Sequence, residues 1–138
     1  MLKRFFPHLL LILSGASLTL AFAPFNMWLL TIPALALAIR QVIKLKHRPF
    51  FAGWLFGAGW FGAGISWVHV SIADFGGLPL IGSIALMALL CSYLALYPAL
   101  ATKLTAKFFS PQLWPMALPF FWVVAEWLRS WMLSGFPW

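Results

Sequence analysis

The residues of this chain that could do acid–base or nucleophilic chemistry are few and widely separated. The chain has two acidic residues, Asp74 and Glu126, three histidines and one cysteine, Cys91. A cysteine nucleophile needs a nearby base and an electropositive pocket, and Cys91 instead lies inside an apolar run. The histidines and acids do not have the spacing of a metal site. The sequence therefore predicts no catalytic residue, no metal site and no cofactor in this segment.

One pair of ionisable residues has a spacing that predicts contact. Glu126 and Arg129 are three residues apart, so on a helix their side chains meet. Ionisable residues at membrane depth are costly and usually paired. One interpretation is a structural ion pair near the outer interface. The alternatives are a cation for a lipid phosphate or an anchor for an outer domain.

The composition requires apolar elements around these residues. The chain has 138 residues, of which 64% are hydrophobic and 8% charged, whereas soluble domains carry about 25% charged residues. Several charge-free runs exceed the roughly 18 residues that cross about 30 Å of hydrocarbon. Backbone polar groups in lipid need internal partners, so we expect an all-α membrane protein, a bundle of about five transmembrane helices. The predicted helices cover residues 6–23, 27–43, 50–72, 80–101 and 112–133.

The basic residues predict an orientation. The net charge of +7 comes from clusters between the apolar runs, namely Lys3 and Arg4, residues 40–48, and Lys103 and Lys107. This is the pattern of cytoplasmic loops, so we expect a multi-pass protein with a cytoplasmic N-terminus. Nucleic-acid binding is not expected, because it needs a polar domain to present basic residues. The short turn at Pro24 leaves open whether the first two helices cross fully or form a re-entrant hairpin.

Glycines mark the third predicted helix as a packing element. Gly53 and Gly57 form a GxxxG pair, and Gly64 lies one heptad beyond Gly57. Small residues let helix backbones approach in lipid, so these three are the predicted helix-packing residues. Tryptophans, including Trp67, alternate with them. A second interpretation is a groove for an acyl chain, with small residues along one wall and aromatic residues along the other.

Three groups of motifs together resemble the N-terminal membrane region of bacterial apolipoprotein N-acyltransferases. They are LAFAPF at 20–25, GAGISWVHVS at 62–71 with FGGLP at 75–79, and EWLR at 126–129 with GFPW at 135–138. The resemblance covers essentially the whole chain. It departs from the family pattern at His69, Ser130 and Ser134, where we expect Tyr, Gly and Thr.

The resemblance implies an enzyme of the bacterial cytoplasmic (inner) membrane. Such enzymes move an acyl chain from a phospholipid to the diacylglyceryl-cysteine of an apolipoprotein, through a thioester on a Glu-Lys-Cys nitrilase-like α/β domain. That domain would follow this chain, which ends on an apolar turn, so we expect a segment truncated before it. Cys91 does not match the family nucleophile, and no catalytic residue is carried over.

What remains for this segment is to anchor the catalytic domain and to guide lipid. The expected partners are the phospholipid acyl donor, the lipid-modified apolipoprotein and the bilayer. The lipid-path candidates are Trp67, Glu126, Arg129, Phe136 and Trp138. The alternative is a small non-enzymatic integral membrane protein, such as a transporter subunit or assembly factor.

Overall fold

The computed structural model describes residues 2–132, with side-chain surroundings given from residue 5 onward. Within this range the chain forms α-helices and short 3₁₀ turns and no strand, which confirms the all-α prediction there. The helices are α1 Leu2–Ser17, α2 Thr31–Lys44, α3 Pro49–Gly64, α4 Val68–Gly76, α5 Leu80–Leu94, α6 Leu96–Phe108 and α7 Trp114–Trp131. The 3₁₀ turns are Leu18–Ala21, Trp28–Leu30 and Pro111–Leu113.

The predicted bundle of about five transmembrane helices is not confirmed. Among the described residues, one segment, Leu80–Phe108, is long and apolar enough to cross a membrane, with 29 residues. The pair α3 and α4 would be a second span, but it is bent by 57°. Helix α2 has 14 residues and rises only about 21 Å, which is short of roughly 30 Å of hydrocarbon. Hydropathy alone does not show where the helices within these apolar runs are interrupted.

The predicted helix over residues 50–72 is wrong as one element, because it breaks at residues 65–67. Helix α3 ends at Gly64, and the chain bends before α4 begins at Val68. Glycine is among the weakest helix formers, and Gly62 and Gly64 precede the break. The Ser66 hydroxyl donates to the Ala63 carbonyl at 3.3 Å, which offers the backbone a local alternative. Asp74, which lies beyond the predicted helix end at residue 72, is an exposed residue of α4.

The other boundaries differ because of proline and local turns. The helix predicted to end at residue 101 continues to Phe108, with a short break at Ala95. Pro98 explains that break, since it cannot donate the helical hydrogen bond to the Leu94 carbonyl. Helix α1 ends at Ser17, short of residue 23, and α2 begins at Thr31 rather than at 27. Helix α7 ends at Trp131, and residue 133 lies outside the described range.

Helix α3 is the centre of the fold, because it packs against α1 on one side and α6 on the other. A Cβ at Gly59 would lie 2.1 Å from the Ile12 carbonyl oxygen of α1. A Cβ at Gly53 would lie 2.1 Å from the Thr102 hydroxyl of α6. Such distances require glycine, because no Cβ fits at this backbone separation.

The predicted packing glycines do not share one environment. Gly53 and Gly57 both face α6, where a Cβ at Gly57 would lie 2.9 Å from Ala95 Cα. A Cβ at Gly64 would meet only the Thr19 methyl at 3.5 Å, an ordinary contact. The close approach on the α1 side involves Gly59 of α3 and Gly15 of α1, where a Cβ would lie 2.0 Å from the Phe56 carbonyl oxygen, and the GxxxG pattern selected neither. The glycines therefore serve two opposite faces of α3.

Candidate functional site

The ion pair predicted from sequence forms near the end of α7. An Arg129 Nη2 hydrogen donates to the Glu126 Oε2 oxygen one turn earlier. The Arg129 side chain is 12% exposed and the Glu126 side chain 32% exposed, so the cation is the more buried partner. Arg129 also lies in the last turn of α7, where a positive charge complements the helix dipole.

Aromatic side chains from α3, α5 and α6 lie near Arg129. The Arg129 guanidinium carbon lies 5.9 Å from the centroid of the Phe61 ring, within the range of a cation–π contact. The hydroxyls of Tyr93 and Tyr97 are hydrogen bonded to each other, and Arg129 interacts electrostatically with Tyr97. We call these five residues, Phe61, Tyr93, Tyr97, Glu126 and Arg129, the Arg129 cluster.

The Arg129 cluster is suited to binding an anionic group. A guanidinium presents several N–H donors in a planar fork that matches carboxylate and phosphate. Tyrosine hydroxyls can donate or accept, and the surrounding rings reduce the competition from water. Glu126 fixes the direction of the guanidinium. The cluster can therefore orient an acid or a phosphate ester near the end of α7.

The same region shows no arrangement for covalent catalysis among the described residues. Cys91 is buried and packs with Phe61 and Leu94. A thiol in such apolar surroundings lacks the base that would activate it. No group of three or more metal-ligating side chains occurs within residues 2–132.

An apolar groove lies beside the Arg129 cluster. It has a volume of about 380 Å³ and is bounded by α2, α3 and α7 together with the turn after α1. Its floor is aromatic, because the Trp60 and Trp122 rings stack at 5.6 Å and Phe56 meets Trp122 edge-on at 6.0 Å. Trp60 also stacks on Phe61 at 5.2 Å. We call this cavity the α2–α7 groove.

The structure brings some of the predicted site residues together and separates others. Glu126 and Arg129 are paired, whereas Trp67 is 62% exposed at the bend between α3 and α4. Phe136 and Trp138 lie outside the described residues. Sequence reasoning missed the roles of Tyr93 and Tyr97, although their four-residue spacing could have indicated a shared helix face.

Taken together, the described residues form an all-helical apolar domain with the Arg129 cluster and a groove, and without a nucleophile paired to a base. Residues 14–138 match the family model described as the apolipoprotein N-acyltransferase N-terminal domain. The chain belongs to this family.

Curated relatives agree with that assignment. An apolipoprotein N-acyltransferase of Shewanella oneidensis is 51% identical over 131 residues, covering 90% of this chain and 25% of the relative. One from Vibrio vulnificus is 44% identical over 129 residues, with the same coverage of both proteins. One from Pasteurella multocida is 38% identical over 140 residues, covering all of this chain and 26% of the relative. The chain thus spans about a quarter of the length of these relatives.

Proposed function

We propose that this chain is the membrane part of a bacterial enzyme that N-acylates the diacylglyceryl-cysteine of apolipoproteins. A phospholipid supplies the acyl chain, and the chain described here anchors the catalytic domain and guides lipid toward it. The observation that carries this proposal is the match of residues 14–138 to the family's N-terminal domain. The nucleophile would belong to a nitrilase-like domain outside this chain.

The alternative of a small non-enzymatic membrane protein, such as a transporter subunit or assembly factor, has less support. The relatives that align with 90% or more of this chain are acyltransferases by name. The α2–α7 groove has an apolar lining, which suits a lipid chain better than a polar solute. The enzyme proposal therefore accounts for more of the observations.

The proposed location is the bacterial cytoplasmic membrane, with several crossings and a cytoplasmic N-terminus. The 29-residue segment Leu80–Phe108 supports membrane insertion. Lys103 and Lys107 lie near its C-terminal end, which favours placing that end on the cytoplasmic side. Helices α6 and α7 pack against each other, and Tyr97 lies in a cluster with Ala125 and Leu128, next to Arg129 in the chain. Arg129 would then lie toward the outer side, where the catalytic domain would be.

Within this proposal the Arg129 cluster holds the phosphate of the phospholipid acyl donor. Glu126 orients the guanidinium, and the hydrogen-bonded pair of Tyr93 and Tyr97 lies on the same side of α7. Trp67, Phe136 and Trp138 would line the lipid path, since tryptophan favours the membrane interface. Positioning the donor ester would raise the rate of acyl transfer without any covalent role for this domain.

The test is acyl transfer by the whole protein that carries this chain, purified in detergent. The substrates are a phospholipid and a diacylglyceryl-cysteine peptide, and the product is followed by mass spectrometry. Arg129→Gln should raise the KM for phospholipid about tenfold or more, because a hydrogen bond to a charged group contributes roughly 1.5–3 kcal/mol. The KM of Arg129→Lys should lie between those of the wild type and Arg129→Gln, because lysine keeps the positive charge but lacks the planar set of N–H donors.

Arg40→Gln is the matched control, because Arg40 is an exposed arginine of α2. It should leave the KM unchanged. An unchanged KM in Arg129→Gln would contradict the phosphate role, and an inactive wild-type protein of native fold would contradict the proposed reaction.

A further inference from the structure

We infer that the α2–α7 groove is a second lipid site, which holds one acyl chain of an anionic phospholipid from the leaflet on the basic side. This lipid would be a bound structural lipid, distinct from the acyl donor placed at the Arg129 cluster. The inference rests on the membrane location in the proposed function and not on the acyl-transfer reaction.

The shape and chemistry of the groove suit a hydrocarbon chain. Its walls are apolar along their length, with Leu35 and Ala38 on one side and Leu118 and Val123 on the other. The stacked Trp60 and Trp122 rings form the base. A volume of about 380 Å³ falls within the range of small-molecule sites. A flexible hydrocarbon chain satisfies such a surface, whereas a polar ligand would lose its hydrogen bonds there.

The groove also has the length of one acyl chain. The lining residues of α2 extend from Thr31 to Val42, which is a rise of about 17 Å at about 1.5 Å per residue. One leaflet of hydrocarbon is about 15 Å thick, half of a core of roughly 30 Å. The groove therefore matches one acyl chain that lies along the helix axis.

One end of the groove is flanked by positive charge. The groove reaches Val42 on α2 and Thr102 on α6, and at this end the chain carries basic residues immediately beyond both. They are Lys44 at the end of α2, Lys46 and Arg48 after that helix, and Lys103 and Lys107 on α6. Asp74 lies on α4, and Glu126 lies on α7 beyond the lining residues 118–123, where it is paired with Arg129. Clusters of this kind attract anionic headgroups.

These observations separate the two lipid sites. The stack of Trp60 on Phe61 stands between the groove and the guanidinium of Arg129. The basic end of the groove lies at the Thr102 level of α6, whereas Arg129 acts on Tyr97, more than one helical turn earlier in that helix. The acyl chain in the groove therefore has its phosphate at the end opposite to the Arg129 cluster.

The experiment is native mass spectrometry of the whole protein that carries this chain, titrated with phosphatidylglycerol or phosphatidylcholine. We expect one retained phosphatidylglycerol, held at least fivefold better than phosphatidylcholine. Ala38→Phe fills the groove and should lower retention at least fivefold. Ala36→Phe is the matched control, because Ala36 is exposed on the same helix, and it should retain the lipid. Equal retention in both variants, or no preference for the anionic lipid, would overturn the inference.

A second measurement covers the case in which Ala38→Phe does not fold. Phosphatidylglycerol with a diazirine in its acyl chain, photolysed on the wild-type protein, should label residues 31–42 and 118–123. Labelling confined to other segments would refute the site. So would a disulfide between Leu35→Cys and a cysteine introduced downstream of residue 138, since it would show that the protein itself covers the groove.

Acyl transfer is measured on the same wild-type preparation, so that a failure of the lipid site can be told apart from a failure of the proposed function. Transfer without lipid in the groove would refute this inference and leave the proposed function intact. Lipid in the groove without transfer would support the inference and contradict the proposed function.

Discussion

The close approach of α1 and α3 can be tested at a single glycine. A Cβ at Gly59 would lie 2.1 Å from the Ile12 carbonyl oxygen and 2.9 Å from Ile12 Cα. Both atoms are backbone atoms, so no side-chain rotation can relieve the clash. The two helices would have to separate by about 1 Å, which disturbs a close-packed interface along its length.

The expected cost of Gly59→Ala follows from two opposing effects. Overpacking a well-packed site costs about 1–3 kcal/mol, and a backbone obstacle favours the upper end of that range. Alanine offsets roughly 0.5–1 kcal/mol of this cost, because it is a better helix former than glycine. We therefore expect the free energy of unfolding to fall by about 2 kcal/mol.

Gly64→Ala is the control, because the sequence pattern selects Gly64 and not Gly59. A Cβ at Gly64 meets only the Thr19 methyl, at 3.5 Å, so this variant should match the wild type or be slightly more stable. The assay is denaturant unfolding of the whole protein in detergent, followed by far-UV circular dichroism. Equal stability of the two variants, or the reverse order, would refute the packing of α1 on α3 described above.

Three further predictions concern the cluster, the cysteine and the orientation. Glu126→Gln replaces the carboxylate that accepts from Arg129 with a neutral acceptor and should lower the free energy of unfolding by about 1 kcal/mol, measured in the same unfolding assay; no loss would show that the pair is unimportant for stability. Cys91→Ala should leave the rate of acyl transfer unchanged, because Cys91 is buried without a base, and an acyl-Cys91 thioester detected by mass spectrometry would contradict this. A fluorescent protein inserted at Lys46 should be fluorescent in the cytoplasm, while alkaline phosphatase at the same site should be inactive; the reverse result would invert the topology.

The apolar runs and the charge clusters were enough to predict helices but not their continuity. Hydropathy averages over a window, so it does not register that Gly62, Gly64 and Ser66 together weaken the helix before α4. Likewise Pro98 breaks the α5–α6 segment at Ala95, while the helix resumes at Leu96 and continues to Phe108. A break depends on backbone hydrogen bonds, which a hydropathy average does not count.

The candidate site was partly predictable for a similar reason. The three-residue spacing of Glu126 and Arg129 predicts their contact, because helix geometry alone decides it. The position of Tyr97 beside Arg129 depends on how α6 packs against α7, and no local spacing contains that information. The α2–α7 groove is also a product of packing, since its walls come from helices far apart in the chain.

The most direct test of the central claim is an exchange of domains with the Shewanella oneidensis relative. The segment of that acyltransferase that aligns with this chain, 51% identical over 131 residues, is replaced by the chain described here. The chimera is expressed in cells depleted of their own enzyme, and the N-termini of their lipoproteins are analysed by mass spectrometry. If this chain is the membrane domain of such an enzyme, the lipoproteins will carry a third acyl chain. Lipoproteins that stay diacylated, with the chimera folded and inserted in the membrane, would contradict the account.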